Sequence, residues 1–298
     1  MQRLIIALPG NEAFADQLAA ACGAERGHLE TRRFPDGESY VRLHSDVAGR
    51  AVDLVCTLAR PDEQLAMLLF TADCARELGA TEVNLVAPYL AYMRQDKRFN
   101  PGEAVSSLTF ARVLSGHFDA LLTVDPHLHR HPALSSLYTI PTATLHSAPL
   151  LADWIAANVE RPLVVGPDGE SEQWAAAIAG RIGAPCAVLR KTRRGDRDVD
   201  IEQTDLRGYL DHTPVLVDDI ASSGRTLLVA ARQMLAQGLR RPECVVVHAL
   251  LADEAHAALR QTFARVTSTD AVAHPSNRIA LAPLFAQALL EGRRDPAA

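Results

Sequence analysis

The chain has 298 residues, 48% hydrophobic and 22% charged, with a formal net charge of −6. That length suits two domains of about 150 residues with real apolar cores, and the acidic balance without a long basic run argues against nucleic-acid binding. Five cysteines at wide spacings, with no CxxC, argue against a disulfide framework or a zinc ribbon and fit a reducing cytoplasm.

In chain order, the pattern predicts a strand at 4–8 and a helix at 11–22. The run at 4–8 stops at Pro9-Gly10, too short for a signal segment. No stretch approaches the roughly 18 apolar residues of a membrane span, so no membrane association is expected. "RFPDGESYVRL" (33–43) alternates at period two beyond Pro-Asp-Gly and reads as a hairpin arm. A strand at 52–58, a helix at 62–78, a strand at 83–87, a helix at 107–116 and a strand at 120–124 follow. Residues 138–149 hold Pro141 and Pro149 with few charges, and the alternation pauses there. It resumes with a helix at 148–158, a strand at 163–165, a helix at 171–182 and a strand at 187–189. Then come a strand at 215–217, a helix at 225–237, a strand at 245–250 and a helix at 253–263. Glycine follows several helices, as at Gly79, Gly183 and Gly238, which suits a left-handed cap. Alternating strands and helices imply α/β domains with mainly parallel sheets flanked by helices. The expected division is 1–145 and 146–298. No sequence repeat identifies a duplication.

"VLVDDIASSGRT" (215–226) carries the densest chemistry. An apolar strand runs into two carboxylates, then a loop of small residues, then a helix. Ligands of open parallel sheets lie at the carboxyl ends of strands. A small-residue loop before a helix offers backbone N–H groups and partial positive charge to an anion. Ser222, Ser223 and Thr226 can donate hydroxyls, and Gly224 permits close approach. Asp218 and Asp219 would repel a phosphate unless they hold a ribose diol or a divalent cation. The stretch reads as a ribose-phosphate cradle. A plain capped helix start with two solvated aspartates is the competing reading of the same spacing.

This stretch resembles the PRPP-binding motif of type I phosphoribosyltransferases and of PRPP synthetases (ribose-phosphate pyrophosphokinases). Asp218 and Asp219 match the ribose-binding acids, and Ser222, Ser223, Gly224, Arg225 and Thr226 match the 5-phosphate loop. Arg225 stands where the family often has glycine. "YLAYMRQDKRFNPGEAVSS" (89–107) places Arg94, Lys97 and Arg98 beside Tyr92 and Phe99. Charge for phosphates and ring faces for a base suit a nucleotide, although a solvated basic loop is the commoner fate of such a run. It resembles the ATP-binding stretch of PRPP synthetases, in particular the archaeal type, and assigns Arg94, Gln95 and Asp96 to ATP. "FPDGESYVRL" (34–43) resembles their adenine-contact arm and places Phe34, Asp36 and Glu38 near the base. "TVDPHLHRH" (123–131) resembles the segment with a metal-linked histidine, here His127. Zinc on the alternating His127, His129 and His131 is disfavoured; the last two read as exposed loop residues. "VVGPDGES" (164–171) resembles the strand end whose aspartate serves metal and ribose phosphate, here Asp168, although Glu170 and Ser171 depart from the family wording. "RKTRRGDRDVDIE" (190–202) has the composition of a surface loop or hairpin. It resembles the flexible catalytic loop, mapping its lysine and arginine to Lys191 and Arg193.

The resemblance covers nearly the whole chain. It implies two phosphoribosyltransferase-like domains, the first holding ATP and the second ribose 5-phosphate. The implied reaction is Mg²⁺-dependent transfer of the β,γ-diphosphoryl group of ATP to the C1 hydroxyl of ribose 5-phosphate. A homo-oligomer, dimer or larger, is expected. Two alternatives stay open: a phosphoribosyltransferase that joins PRPP to a base, and a non-catalytic regulatory homologue.

Overall fold

The structure is a computed structural model. It describes residues 2–128, 130–194, 198–202 and 204–292, and the side chains of these apart from residues 170, 190–194, 198–202. The chain forms two compact units.

In the first unit the elements run β1 (Arg3–Ala7), α1 (Glu12–Cys22), β2 (Glu25–Arg26), β3 (Leu29–Arg33), β4 (Ser39–Leu43) and β5 (Ala51–Val55). Then come α2 (Pro61–Glu77), β6 (Glu82–Ala87), α3 (Ser106–Ser115), β7 (Ala120–Val124) and β8 (Thr142–Leu145). The six-stranded parallel sheet has the order β2-β1-β5-β6-β7-β8, and β3 and β4 make a separate antiparallel hairpin. Its central strands are wholly buried, as expected of strands covered on both faces.

The second unit begins with α4 (Ala148–Asn158). It continues with β9 (Pro162–Gly166), α5 (Glu172–Ile182), β10 (Cys186–Val188), the hairpin β11 (Arg190–Arg194) and β12 (Asp198–Glu202), and β13 (Thr213–Ala221). After these come α6 (Arg225–Ala236), β14 (Glu243–Ala249), α7 (Asp253–Thr262), β15 (Val266–Thr269) and β16 (Asn277–Ile279). The sheet order is β10-β9-β13-β14-β15-β16, again parallel. Alternate strand residues feed opposite faces. Leu163, Val165, Leu216 and Val246 pack with α6 and α7, while Val164, Val215, Val217 and Val245 pack with α4 and α5. The two units therefore repeat one topology, down to the hairpin after the second strand.

The final helix, α8 (Ala282–Glu291), packs on α1 in the first unit, with Phe285 edge-on to Phe14 at 5.4 Å between centroids. The sequence division assigned everything after residue 145 to the second domain. The structure differs at the end of the chain, because residues 271–273 and 281–292 join the first unit. The physical reason is apolar burial: Phe285 is 0% exposed, and α1 presents Phe14 and Leu18 to be covered. The pause at 138–149 also contains β8, a strand the hydropathy pattern did not reveal.

Candidate active site

Strand order reverses between β9 and β13, and an open α/β sheet binds its ligands at that switch point. β9 pairs with β13 only as far as Leu216, so Val217–Ala221 runs on with β14 alone as its neighbour. The expected strand at 215–217 is thus longer, and Asp218 and Asp219 lie within it rather than after it. Their surroundings are acidic. The Asp218 carboxyl is pushed well above its ordinary range by burial first, then by the charges of Asp219 and Asp168. Asp218 Oδ1 accepts the N–H of Asp219 at 3.0 Å, and Asp219 Oδ1 accepts that of Ile220 at 2.7 Å.

Asp168 arrives from the turn after β9. Ser171 Oγ donates to the Asp168 carbonyl at 2.6 Å, and the Ser171 N–H meets Asp168 Oδ1 at 3.3 Å. Ser171 is buried, and its Oγ lies only 2.5 Å from where a Cβ on Gly166 would sit. Ser171, which departs from the family wording, is what closes the Asp168 turn. Asp168 and Asp219, from two adjacent strand ends, are thus near enough to Asp218 for their charges to act on it, which puts acceptors for a ribose diol on this side of the sheet.

The 222–226 loop follows directly. Gly224 takes φ 68°, caps α6, and is buried with a prospective Cβ 3.3 Å from the Leu259 side chain. Gly224 at the cap has no side chain to offer, and the Arg225 N–H reaches Ser223 Oγ only at 3.5 Å, so the first-turn N–H groups of α6 lie beside the hydroxyls of Ser222, Ser223 and Thr226. Arg225 is the first helical residue and is exposed. The left-handed conformation falls on Gly224, so the arginine is accommodated without strain.

In the first unit, the segments after β6 and β7 carry the nucleotide candidates. Tyr92 donates its hydroxyl to Asp62 at the start of α2. Arg33 reaches the Glu63 carbonyl on the same turn at 2.7 Å. The hairpin turn with Phe34, Asp36 and Glu38 and the 92–98 stretch are thereby held at one helix end. Phe34 is exposed, stands edge-on to Tyr40, and lies 4.4 Å beneath the Arg32 guanidinium. Arg94 is exposed and Gln95 half-buried. Glu103 organises the turn beyond them by accepting the N–H groups of Phe99 and Asn100 at 2.8 and 3.0 Å, and these bonds with the Asn100 amide hold its carboxyl below the usual range. Asp96 is different: its carboxylate is 2% exposed and accepts Arg130 at 3.1 Å through both oxygens. That pair joins the 94–99 stretch to the segment carrying His127. Arg130, which the sequence analysis passed over, also faces the Phe99 ring at 5.7 Å, as does Lys97 at 5.1 Å. Its only sequence signal was a cation among alternating histidines. Tyr92 and Asp125, both in these segments, have φ values of 62° and 36°, strained for residues with side chains.

His127 is half-buried in the segment after β7. His131 was expected to be an exposed loop residue. It is half-buried instead, with Nε2 enclosed and lacking a hydrogen-bond partner among the described residues. His129 lies outside the described residues. No cluster of three metal-ligating side chains that could hold a metal ion occurs among the described residues. Lys191 and Arg193 lie on β11, opposite Ile201 and Val199 of β12, and their side chains are outside the described residues.

A doubly repeated parallel sheet with carboxylates and a phosphate-type loop at the switch point defines a protein of the phosphoribosyltransferase fold class. A model of the N-terminal domain of ribose phosphate pyrophosphokinase matches residues 3–117, and the phosphoribosyl transferase domain matches residues 133–274. A ribose-phosphate pyrophosphokinase of Methanopyrus kandleri is 35% identical over 96% of this chain and 98% of its own. One from Methanosarcina acetivorans is 32% identical over 96% and 98%. The crystal structure of phosphoribosylpyrophosphate synthetase from Mycobacterium smegmatis shares the fold, with a TM-score of 0.85 at 24% identity, covering 98% of this chain and 100% of that one. The chain belongs to the ribose-phosphate pyrophosphokinase family.

Proposed function

We propose that this protein is a ribose-phosphate diphosphokinase, making PRPP and AMP from ATP and ribose 5-phosphate. The observation that carries the reading is the meeting of Asp168, Asp218 and Asp219 beside the 222–226 loop. Family membership along nearly the whole chain supports it. The C1 oxygen of the ribose bonds to the β-phosphorus as the bond to the bridging oxygen breaks, and AMP leaves with that oxygen. Catalysis of this kind rests on positioning and charge neutralisation.

Asp218 and Asp219 accept hydrogen bonds from the ribose hydroxyls. The backbone of 222–226 and the hydroxyls of Ser222, Ser223 and Thr226 hold the 5-phosphate, with Gly224 allowing approach and Arg225 adding charge at the rim. Phe34, Asp36 and Glu38 recognise the base, and Arg94 and Gln95 orient the nucleotide. Asp96 acts by holding Arg130. Lys191 and Arg193 meet charge that develops only in the transition state.

The crowded carboxylates fit Mg²⁺, a hard cation that prefers oxygen and keeps several waters. When bound, Mg²⁺ would neutralise phosphate charge. His127 and Asp168 would organise it, partly through water. We also read the enzyme as a cytoplasmic homo-oligomer. Among the described residues no helix is long and apolar enough to cross a membrane.

The test is a phosphorus NMR time course with ATP, ribose 5-phosphate and Mg²⁺. AMP and a C1 diphosphate ester should grow in equal amounts. Intact substrates would sink the reading, and turnover of PRPP with a base in a second tube would favour a transferase.

A further inference from the structure

The second unit has another concave site, at the opposite end of its sheet from Asp218. The ribose-phosphate loops follow the carboxyl ends of β9 and β13. A cavity of about 400 Å³ lies instead at the amino ends of β14, β15 and β16, beside the end of α7. Its lining is cationic: Arg241, Arg260, Arg265 and Arg278 with His256, around Phe263.

Three of these arginines donate to protein groups, Arg278 to the carbonyls of Pro275 and Asn277, and the partners of Arg241 and Arg265 make the site more receptive to an anion. Arg241 donates to the carbonyls of Arg260 and Gln261 at 2.9 Å and of Thr262 at 3.2 Å. It covers the negative end of the α7 dipole, which would otherwise repel negative charge. Arg265 holds Glu243 with contacts of 2.8 to 3.0 Å and lies 4.5 Å over the Trp154 ring. That neutralises Glu243 and fixes a guanidinium in the wall. Arg260 and Arg278 are exposed, and Arg278 is steadied at the rim by the Pro275 carbonyl at 3.2 Å.

Two histidines stand beside this wall. His256 packs edge-on to His274 at 4.5 Å, and His274 Nδ1 is 2.6 Å from Ser276 Oγ. His256 is pushed below its ordinary pKa by burial and then by Arg260, against the opposing charge of Asp253. His274 is lowered by burial and then by His256, again opposed by Asp253.

We propose that this cavity binds a small phosphorylated metabolite, its phosphate held by Arg260 and Arg278 and its apolar part laid against Ala264 and Pro275. The volume falls within the range of roughly 300 to 1,000 Å³ usual for small-molecule sites. None of the lining residues belongs to the catalytic assignment, so this site stands or falls independently of it.

The test uses full-length protein with labelled histidine and no Mg²⁺, titrated separately with AMP and inorganic phosphate. The ring resonances of His256 and His274, assigned with H256N and H274N, are the readout. AMP should move both toward the protonated position and saturate, and phosphate should do so about tenfold more weakly. In the R260A/R278A double variant the AMP response should weaken by about tenfold or more. Ribose 5-phosphate affinity should stay unchanged in that variant. Resonances unmoved by either probe in the millimolar range would overturn the site, as would equal responses in the double variant. Phosphate binding as tightly as AMP would overturn the apolar contact.

Discussion

At Asp218 the second sheet has lost its β9 partner, which leaves that side of the strand without a neighbouring strand. Asp219→Ala removes the charged acceptor we propose for the ribose hydroxyls. Ribose 5-phosphate should bind roughly ten- to a hundredfold more weakly, by calorimetry, because hydrogen bonds to charged groups contribute about 1.5–3 kcal/mol. Unaltered affinity would remove Asp219 from the cradle. Asp218→Asn tests the crowding. The Asp218 carboxyl is raised in the folded state, so its protonated form favours folding. Its stabilising contribution is complete below the ordinary Asp value of about 4 and is lost as pH rises through the folded value. At neutral pH without Mg²⁺, the asparagine variant should therefore be more stable, by about 1 kcal/mol in urea melts. The two proteins should converge in acid, and a gain that persists there would contradict the charge explanation.

Turns and hairpins place these side chains, so the next tests belong to elements. Gly166→Ala puts a methyl where Ser171 Oγ now lies, 2.5 Å from the new atom. The hydroxyl must rotate and give up its bond to the Asp168 carbonyl, a loss of about 1 kcal/mol. The Mg²⁺ concentration for half-maximal rate should rise several-fold, whereas an unchanged value would mean that the Asp168 turn tolerates the methyl. The β11–β12 hairpin carries the proposed clamp. Lys191→Ala should lower kcat by about a hundredfold or more with little change in ribose 5-phosphate binding, since the clamp acts in the transition state. A drop in affinity with kcat intact would instead make Lys191 a binding residue. The hairpin was legible in the composition of 190–202 only as one of two options, loop or hairpin. β15, by contrast, reads Val-Thr-Ser-Thr and carries no apolar signature, yet it is buried throughout. Two of its three hydroxyls are satisfied inside the sheet: Thr269 donates to the Val247 carbonyl at 2.7 Å and Ser268 meets Ser276 at 2.7 Å, while Thr267 Oγ1 is buried without a partner among the described residues. Hydropathy cannot reveal a strand whose burial is permitted by such bonds.

At the scale of the molecule, the repeated topology ends in an exchange of helices. α4 follows the last strand of the first sheet and packs on α5, while α8 follows the last strand of the second sheet and packs on α1. Phe285→Ala should cost about 3–5 kcal/mol, the usual range for a buried phenylalanine. Hydrogen exchange should quicken in α1 along with α8. Loss of protection confined to the second unit would show that α8 does not stabilise the first.

The sequence by itself determined the α/β class, most strand and helix positions, and the motif from Asp218 to Thr226 that is proposed as the cradle. Those features are local: a period, a run, or a motif whose residues are contiguous. The tertiary structure decided which distant residues meet. It brought Asp168 to Asp218, and it engaged Asp96 with Arg130. It also buried Ser171 under Gly166 and returned α8 to the first unit. Each depends on burial and pairing, in most cases between segments far apart in the chain, and free energies of that kind leave no period for a sequence to display.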